Sequence, residues 1–130
     1  MSKIIRQSAT FRASPHAVYE LLMDSRKHGA LAGGEAKISR QVGGAFSVSD
    51  ADITGKNLEL VPDEKIVQSW RYSDWTPGVY STATFALAKV GNNTRLTFTQ
   101  SGVPDEHYDE IKQGWIDYYW QPMKQLFGNG

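Results

Sequence analysis

The chain has 130 residues, no cysteine, and 14 acidic residues against 14 lysines and arginines, so its formal net charge is zero. This length predicts a single domain over residues 1–130, long enough to bury a core of its own. The composition excludes disulfides and cysteine-based metal or nucleophile sites, and the lack of a basic stripe argues against nucleic acid as a partner.

The sequence also argues against a membrane location. Its first residues lack the apolar core of a signal peptide, and no window approaches the roughly 18 consecutive apolar residues of a membrane span. No polybasic cluster suggests binding to a membrane surface. We therefore expect a cytoplasmic protein.

The first part of the chain is predicted to form one strand and two short helices. Residues 3–12 are predicted to form the first strand, with Ile5, Gln7, Ala9 and Phe11 on one face. Ser14 and Pro15 suit the cap and the first position of a helix. The glycines within residues 26–34 favour a separate short helix and turn over one long helix.

The hydrophobic period then changes to two, which predicts a run of antiparallel strands. These strands are expected over residues 36–39, 45–49, 51–61, 65–72, 79–88 and 95–100. Gly43 and Gly44 indicate the first hairpin. Asp50 and Asp52 would share one face of a strand, where a cation site is conceivable, but a solvated turn is the favoured interpretation.

A long helix is predicted from about Pro104 to Phe127, because the period changes to 3.6 there. Acidic residues fill its first turns, where the helix dipole favours negative charge. Pro122 removes one backbone hydrogen bond and is expected to kink the helix near Tyr118. The apolar stripe of the helix consists of Ile111, Trp115, Tyr118, Tyr119, Met123, Leu126 and Phe127.

This order of elements predicts an α+β domain of the helix-grip type. A curved antiparallel sheet of six to seven strands would wrap around the long C-terminal helix, with two short helices after the first strand. The space between sheet and helix is the expected ligand site, because concave apolar spaces with a few polar groups commonly bind small molecules. The predicted ligand-binding residues are Gln68, Trp70, Tyr72, Phe98, Gln100, Trp115, Tyr118 and Tyr119.

The aromatic members of this set fit both core packing and a pocket wall. The two amides discriminate better, because Gln68 is predicted to face inward with Trp70, and Gln100 with Phe98. A buried amide without a partner costs about 1–3 kcal/mol. Each amide must therefore bond to another buried group, a water or a ligand, and an internal network is the favoured interpretation.

No catalytic motif is present, so the chain is predicted to be non-catalytic, with no cofactor and no metal. His16, His28 and His107 lack ligand spacing and are expected to be exposed or partly exposed. Gly43 and Gly44 lack the lysine and helix of a phosphate-binding loop. No serine occupies a Gly-x-Ser-x-Gly elbow, so a hydrolase triad has no support.

Short motifs occur in order along nearly the whole chain. They are Gly43-Gly44 with Phe46, Gly55, Leu60-Val61-Pro62, Ile66-Val67, Trp70-Arg71, Trp75, Gln113-Gly114-Trp115, Tyr118-Tyr119, and Lys124-Gln125 with Phe127-Gly128. In this order they resemble the activators of the heat-shock protein 90 ATPase, specifically the C-terminal domain of the eukaryotic co-chaperone. Asn57 and Gln68 depart from that resemblance, since the family is often apolar at these positions.

The resemblance implies a helix-grip fold similar to START lipid-transfer domains, plant allergen-type carriers and polyketide cyclases. It implies a non-catalytic binding module that holds a small hydrophobic molecule, or meets a protein partner in a chaperone-related role. One alternative is a co-chaperone that stimulates a heat-shock protein 90 homologue. Because the eukaryotic co-chaperone has a separate N-terminal docking domain, we expect weak or absent stimulation by this chain alone. The other alternative is a cyclase or aromatase, which would act mainly by shaping a reactive chain.

Overall fold

A computed structural model describes residues 4–128 and confirms the predicted α+β class. Residue 3, the first of the predicted strand, lies outside the described range. The elements before the C-terminal helix are β1 (Ile5–Phe11), α1 (Pro15–Met23), α2 (Ser25–Ala32), β2 (Lys37–Ile38), β3 (Ala45–Val48), β4 (Ile53–Val61), β5 (Lys65–Tyr72), β6 (Ser81–Val90) and β7 (Asn93–Ser101). Within residues 4–128, no helix has the length and apolarity needed to cross a membrane.

The seven strands form one open antiparallel sheet in the order β1-β7-β6-β5-β4-β3-β2. Chain neighbours are also sheet neighbours from β2 to β7, and β1 joins the far edge beside β7. The predicted alternation is confirmed on the central strands. Ile66, Gln68 and Trp70 of β5 are buried, as are Phe98 and Gln100 of β7. The inner face of the sheet is therefore mainly apolar, with the amides of Asn57, Gln68 and Gln100 buried among its apolar side chains.

The predicted starts of both short helices are confirmed by their caps. The Ser14 hydroxyl accepts a hydrogen bond from the backbone N–H of Ala17 at 3.1 Å, and Pro15 occupies the first helical position. Asp24 caps α2 in the same way, and Gly33 ends α2 with a left-handed φ of 83°. Helix α2 contacts α1, strand β3 and the C-terminal helix.

The turn between β3 and β4 differs from the prediction. Ser49, Asp50 and Ala51 have positive φ angles of 53°, 57° and 71°, so these residues cannot extend a strand. Strand β4 consequently begins at Ile53 rather than at residue 51. Asp50 and Asp52 therefore belong to the turn and its exit, as the favoured interpretation had them, and do not share a strand face.

The C-terminal helix is continuous but not uniform. It consists of a 3₁₀ turn (Asp105–His107), an α-helix (Tyr108–Trp115), a π-helical turn (Ile116–Trp120) and a second α-helix (Gln121–Phe127). In the π turn, the backbone N–H of Gln121 donates to the carbonyl of Ile116, five residues back. Pro122 cannot donate, and its ring would press on the carbonyl of Tyr118 in a regular helix. A widened turn relieves this conflict where the sequence predicted a kink.

The widened turn changes which residues face the sheet. A turn with one extra residue rotates the second half of the helix relative to the first. The predicted stripe is correct at Ile111, Trp115, Tyr119 and Met123, which are buried, and wrong at two other positions. Tyr118 and Leu126 were predicted to face the sheet and are instead 63% and 61% exposed. Trp120, which was outside the stripe, is buried. The buried apolar face consists of Ile111, Trp115, Tyr119, Trp120 and Met123.

Candidate functional site

Most of the space between the helix and the sheet is filled by aromatic rings. Trp115 lies at the centre and is only 3% exposed. Its ring centroid is 4.3–5.7 Å from those of Phe98, Tyr119, Trp70, Phe85 and Trp120. The remaining void has a volume of about 10 Å³. A void of this size holds one water molecule and no organic ligand.

Gln100 connects this aromatic cluster to the sheet through hydrogen bonds. Its Oε1 accepts from the indole Nε1–H of Trp115 at 2.8 Å, and its Nε2–H donates to Ser81 Oγ at 2.8 Å. Ser81 in turn donates to the backbone carbonyl of Trp70 at 2.8 Å. The Gln100 amide thus fixes the position of Trp115 and is fully enclosed by protein.

Gln68 belongs to a second internal network. Its Nε2–H donates to Asn57 Oδ1 at 3.2 Å. The Asn57 amide donates to the backbone carbonyls of Ser39 and Gln41 at 2.7 and 3.1 Å, and so ties the β2–β3 connection to β4. The two polar departures from the family pattern, Asn57 and Gln68, are therefore partners of each other.

His28 is buried, and the expectation that it would be exposed or partly exposed is wrong. Its Nδ1 lies 2.9 Å from the carbonyl of Leu22, so Nδ1 carries the proton and donates. Its Nε2, 2.7 Å from the hydroxyl of Tyr119, then accepts from that O–H. Burial lowers the pKa of His28 and raises the pKa of Tyr119. Both groups are therefore neutral, and their bond connects α2 to the π turn of the C-terminal helix.

An open cleft of about 460 Å³ lies at one end of the helix–sheet interface. It forms where the end of α2, the β3–β4 turn, the adjoining ends of β4 and β5, and the C-terminal helix converge. Its walls are formed by Ala32, Gly33, Gly34, Ser49, Asp50, Asp52, Ile53, Trp70, Tyr72, Glu110, Ile111, Gly114, Trp115, Tyr118 and Tyr119.

The cleft contains some of the predicted ligand-binding residues and not others. Trp70, Tyr72, Trp115, Tyr118 and Tyr119 all line it. The remaining three do not, and they are Gln68, Phe98 and Gln100. Gln68 lines the void of about 10 Å³, whereas Phe98 and Gln100 are buried on the face of the sheet that contacts the C-terminal helix.

Two glycines determine the shape of the cleft. Gly34 packs against the β3–β4 turn so closely that a Cβ atom there would lie 3.0 Å from the Cα of Ser49. Reciprocal hydrogen bonds hold this contact, from Glu35 N–H to Asp50 Oδ1 at 2.8 Å and from Asp50 N–H to the Glu35 carbonyl at 3.1 Å. Gly114 has the opposite role, because a Cβ there would meet only the Tyr118 ring, at 3.8 Å. Its missing side chain leaves the helix face of the cleft open.

The rim of the cleft is acidic. Asp52 and Glu110 line it, as does Asp50. The pKa of the Tyr72 hydroxyl is raised above its ordinary value, first by burial and then by the negative charges of Asp52, Asp74 and Glu110. Across residues 4–128, no group of three histidine or acidic side chains is placed to hold a metal ion. The sequence interpretation explained these carboxylates locally, as turn and helix-start residues, and no sequence signal brings them together.

The sequence is similar to known activators of the 90 kDa heat-shock protein ATPase. The family model described as Activator of Hsp90 ATPase homolog 1-like protein matches residues 12–128. The human activator homolog 1 is 31% identical over 121 residues, which is 93% of this chain and 36% of the relative. The homolog from Dictyostelium discoideum is 30% identical over 127 residues, which is 97% of this chain and 33% of the relative. The chain thus spans about a third of the length of these curated relatives.

Solved structures show the same fold. An HSP90 activator from Plasmodium falciparum superposes with a TM-score of 0.90 at 24% identity, covering 98% of this chain and 97% of that one. The Aha1 dimer from Colwellia psychrerythraea gives a TM-score of 0.80 at 18% identity, covering 98% and 99%. The family model matches residues 12–128, and the human and Dictyostelium discoideum relatives are 31% and 30% identical over more than nine-tenths of this chain. The chain belongs to the Activator of Hsp90 ATPase homolog 1-like family.

Proposed function

We propose that this chain is a non-catalytic binding module whose cleft beside the C-terminal helix holds a small apolar molecule. The observation that carries the proposal is the open cleft of about 460 Å³ with five aromatic side chains in its walls. This volume lies within the range of small-molecule sites, roughly 300–1,000 Å³. The inner void of about 10 Å³ is too small, so the binding site is the open end of the interface.

Two of the aromatic walls are held in place before any ligand arrives. Trp115 is fixed by its hydrogen bond to Gln100 and by the surrounding rings, and Tyr119 is fixed by its bond to His28. Rigid walls reduce the entropy lost on binding, which favours affinity for a ligand of matching shape. The cleft is therefore suited to binding without a large rearrangement.

The absence of catalysis is part of the proposal. A cyclase or aromatase would need an acid–base group able to reach the reacting atoms. His28, beside the aromatic walls, has both ring nitrogens engaged by Leu22 and Tyr119. The carboxylates that line the cleft are exposed side chains at its rim. A bound polyketide-like compound should be recovered unchanged after long incubation with the protein, as judged by mass spectrometry. Conversion faster than in buffer would favour the enzyme alternative.

The binding proposal can be tested by filling the cleft. Gly114→Leu should place a side chain in the open space without a backbone clash, because φ there is helical and the Cβ position is nearly free. Gly114→Ala is the matched control, and it should stabilise the helix by about 0.5–1 kcal/mol while leaving most of the cleft open.

The readout is ¹H–¹⁵N NMR with neutral alcohols, fatty acids and flavonoids as probes. Binding should shift the amide signals of Gly33, Gly34 and Gly114, which line the cleft, and spare Gly91 in the β6–β7 turn. In the Gly114→Leu protein the remaining cleft signals should no longer respond. Shifts confined to the outer surface, or no shifts with any probe, would contradict a ligand-binding cleft.

A second candidate is a chaperone-related role with a heat-shock protein 90 homologue as partner. It is supported by the relatives whose names describe them as activators of the 90 kDa heat-shock protein ATPase. We expect weak or absent stimulation of such an ATPase by this chain alone. An ATPase assay with the homologue from the same organism tests this, and several-fold stimulation at low micromolar protein would move the co-chaperone role to first place. The cytoplasmic location stays a prediction in either case.

A further inference from the structure

The cleft differs in charge from the chain as a whole. The chain is neutral, with 14 acidic and 14 basic residues. The cleft walls contain three carboxylates and no lysine, arginine or histidine. Asp50 and Asp52 come from the β3–β4 turn, and Glu110 comes from the C-terminal helix, so the negative charge reaches the cleft from two separate elements.

These carboxylates have no cationic partner in the part of the chain that the structure describes. The ion pairs found within residues 4–128 involve other acidic residues, namely Asp63, Glu35, Glu20 and Glu59. Asp50 receives a backbone N–H from Glu35, and Asp52 receives the Ser73 hydroxyl at 3.5 Å, but neither contact neutralises charge. The rim therefore keeps its negative charge.

The basic side chains that are nearest in sequence are engaged elsewhere. Arg71, beside Tyr72, donates from Nη2 to the Trp75 carbonyl at 2.6 Å, and its guanidinium lies 5.9 Å from the Tyr80 ring centroid. The ammonium of Lys112, two residues from Glu110, lies 5.7 Å from the centroid of the Tyr108 ring, which is outside the cleft. Among the residues 4–128 that the structure describes, no basic side chain lines the cleft, so its negative charge is open to a cationic ligand.

The aromatic walls have the same electrostatic preference as the carboxylates. The faces of tryptophan and tyrosine rings are negative and attract a cation placed within about 6 Å of the ring centroid. Trp70, Tyr72, Trp115 and Tyr118 all border the cleft, and the largely exposed Tyr118 ring is accessible from solvent. The cleft is also lined by the apolar side chain of Ile53, which is mostly buried.

We propose that the cleft selects an organic cation, meaning a quaternary or protonated amine joined to an apolar body. The proposal rests on the binding function proposed above and adds the charge of the ligand. The cationic group lies against the ring faces and near Asp52 and Glu110, while the apolar body contacts the remaining wall. A carboxylate-bearing ligand such as a fatty acid meets repulsion at the rim and binds more weakly.

The test compares three probes that share one alkyl chain, namely octyltrimethylammonium, octan-1-ol and octanoate. The glycine amides of the cleft report on binding by NMR titration, with Gly91 as the distant reference. We expect the dissociation constant of the ammonium to be at least tenfold lower than that of the alcohol, and octanoate to bind most weakly. Raising the salt concentration should weaken the ammonium several-fold and leave the alcohol unchanged, because only the former interaction is screened.

Charge variants locate the effect. The ammonium's advantage is the ratio of the dissociation constant of octan-1-ol to that of octyltrimethylammonium. The double variant Asp52→Asn with Glu110→Gln should lower this ratio at least fivefold and leave the dissociation constant of octan-1-ol unchanged. Asp109→Asn is the control for a loss of charge outside the cleft, since it removes one negative charge, against two in the double variant, from an exposed position on the same helix as Glu110. It should leave the ammonium's advantage within twofold of the unmodified protein.

The outcomes separate the two proposals. If all three probes shift the cleft glycines with equal affinity, or the alcohol binds best, selection of a cation is overturned while the binding cleft stands. The same conclusion follows if Asp109→Asn and the double variant have equal effects. If none of the probes shifts these signals, the binding function itself fails, and the preference for a cation fails with it.

Discussion

The C-terminal helix meets the sheet in two neighbouring regions that differ in how completely they are filled. Around Trp115 and Phe98, whose ring centroids lie 4.3 Å apart, the interface is closed and leaves a void of only about 10 Å³. Around Tyr72 and Tyr118 it opens into a cleft of about 460 Å³. Both regions are rich in aromatic residues, so aromatic content alone does not decide whether an interface is a core or a binding site.

Backbone geometry accounts for the difference. The π turn before Pro122 brings Trp120 inward beside Trp115 and leaves Tyr118 exposed on the cleft wall. Gly114 lines the cleft and has no side chain, so the helix leaves space there. The closed region is also fastened by buried polar bonds such as Gln100 to Trp115, at 2.8 Å. We therefore expect the closed region to contribute most of the stability of this interface and the cleft to admit a ligand.

The largest expected effect on stability is at Trp115. Trp115→Ala should lower the free energy of unfolding by about 3–5 kcal/mol, because it removes a buried ring and leaves a cavity among close-packed aromatics. Chemical denaturation monitored by circular dichroism measures this change. A loss below about 1 kcal/mol would show that the closed region is not the main source of stability.

The next largest effect on stability is expected at the buried hydrogen bond between Trp115 and Gln100. Gln100→Leu keeps the volume but leaves the buried indole N–H of Trp115 without its acceptor, which should cost about 1–3 kcal/mol. Gln125→Leu is the matched control on the exposed side of the C-terminal helix and should change stability by less than about 0.5 kcal/mol. Equal effects of the two variants in denaturant melts would argue against a structural role for the Gln100 amide.

The His28–Tyr119 bond lies between the two regions and should make stability depend on pH. Burial lowers the pKa of His28 in the folded protein below its ordinary value of 6.5. The unfolded chain therefore takes up a proton before the folded one does. The stability contributed by neutral His28 is fully present above pH 6.5 and is lost as the pH falls from there through the folded pKa. The loss cannot exceed about 1.4 kcal/mol per pH unit.

His28→Gln isolates this contribution. Both proteins also titrate other groups, so the quantity of interest is the difference in unfolding free energy between them at pH 7.5 and at pH 5.5, measured by denaturation. That difference should shrink at the lower pH, because only the unmodified protein carries the neutral buried imidazole. A constant difference at the two pH values would contradict a link between folding and the protonation of His28.

The fold was predictable because its signals are local. Strand β5 was predicted at its observed bounds, Lys65–Tyr72, because Ile66, Trp70 and Tyr72 recur on one face at a period of two between clear turn signals. The cap of α1 was predicted from Ser14 and Pro15 alone. The predicted stripe on the C-terminal helix failed at Tyr118, within the π turn, and at Leu126, beyond it. The wider turn before Pro122 changed the helical repeat, and a fixed period of 3.6 could not register this.

The site was less predictable because it is assembled from distant segments. His28 is buried through a bond to Tyr119, 91 residues away, and nothing near it in sequence indicates that partner. The cleft requires Gly34 to meet the β3–β4 turn while Glu110 faces the same space from the C-terminal helix. The aromatic wall residues were predictable from their periodicity. The acidic rim was not, because its carboxylates come from two segments that are far apart in the sequence.

The smallest expected effect on stability is at Tyr118, and it distinguishes the two regions most directly. Because this side chain is 63% exposed, Tyr118→Ala should change the free energy of unfolding by less than about 0.5 kcal/mol. The same substitution removes one wall of the cleft and should weaken any probe that binds there, whereas Tyr118→Phe keeps the ring and should preserve binding. Paired denaturant melts and NMR titrations measure both quantities. A stability loss above about 2 kcal/mol would mean that Tyr118 packs in the core, as a uniform period of 3.6 predicts. It would also contradict the π-helical turn at Ile116–Trp120.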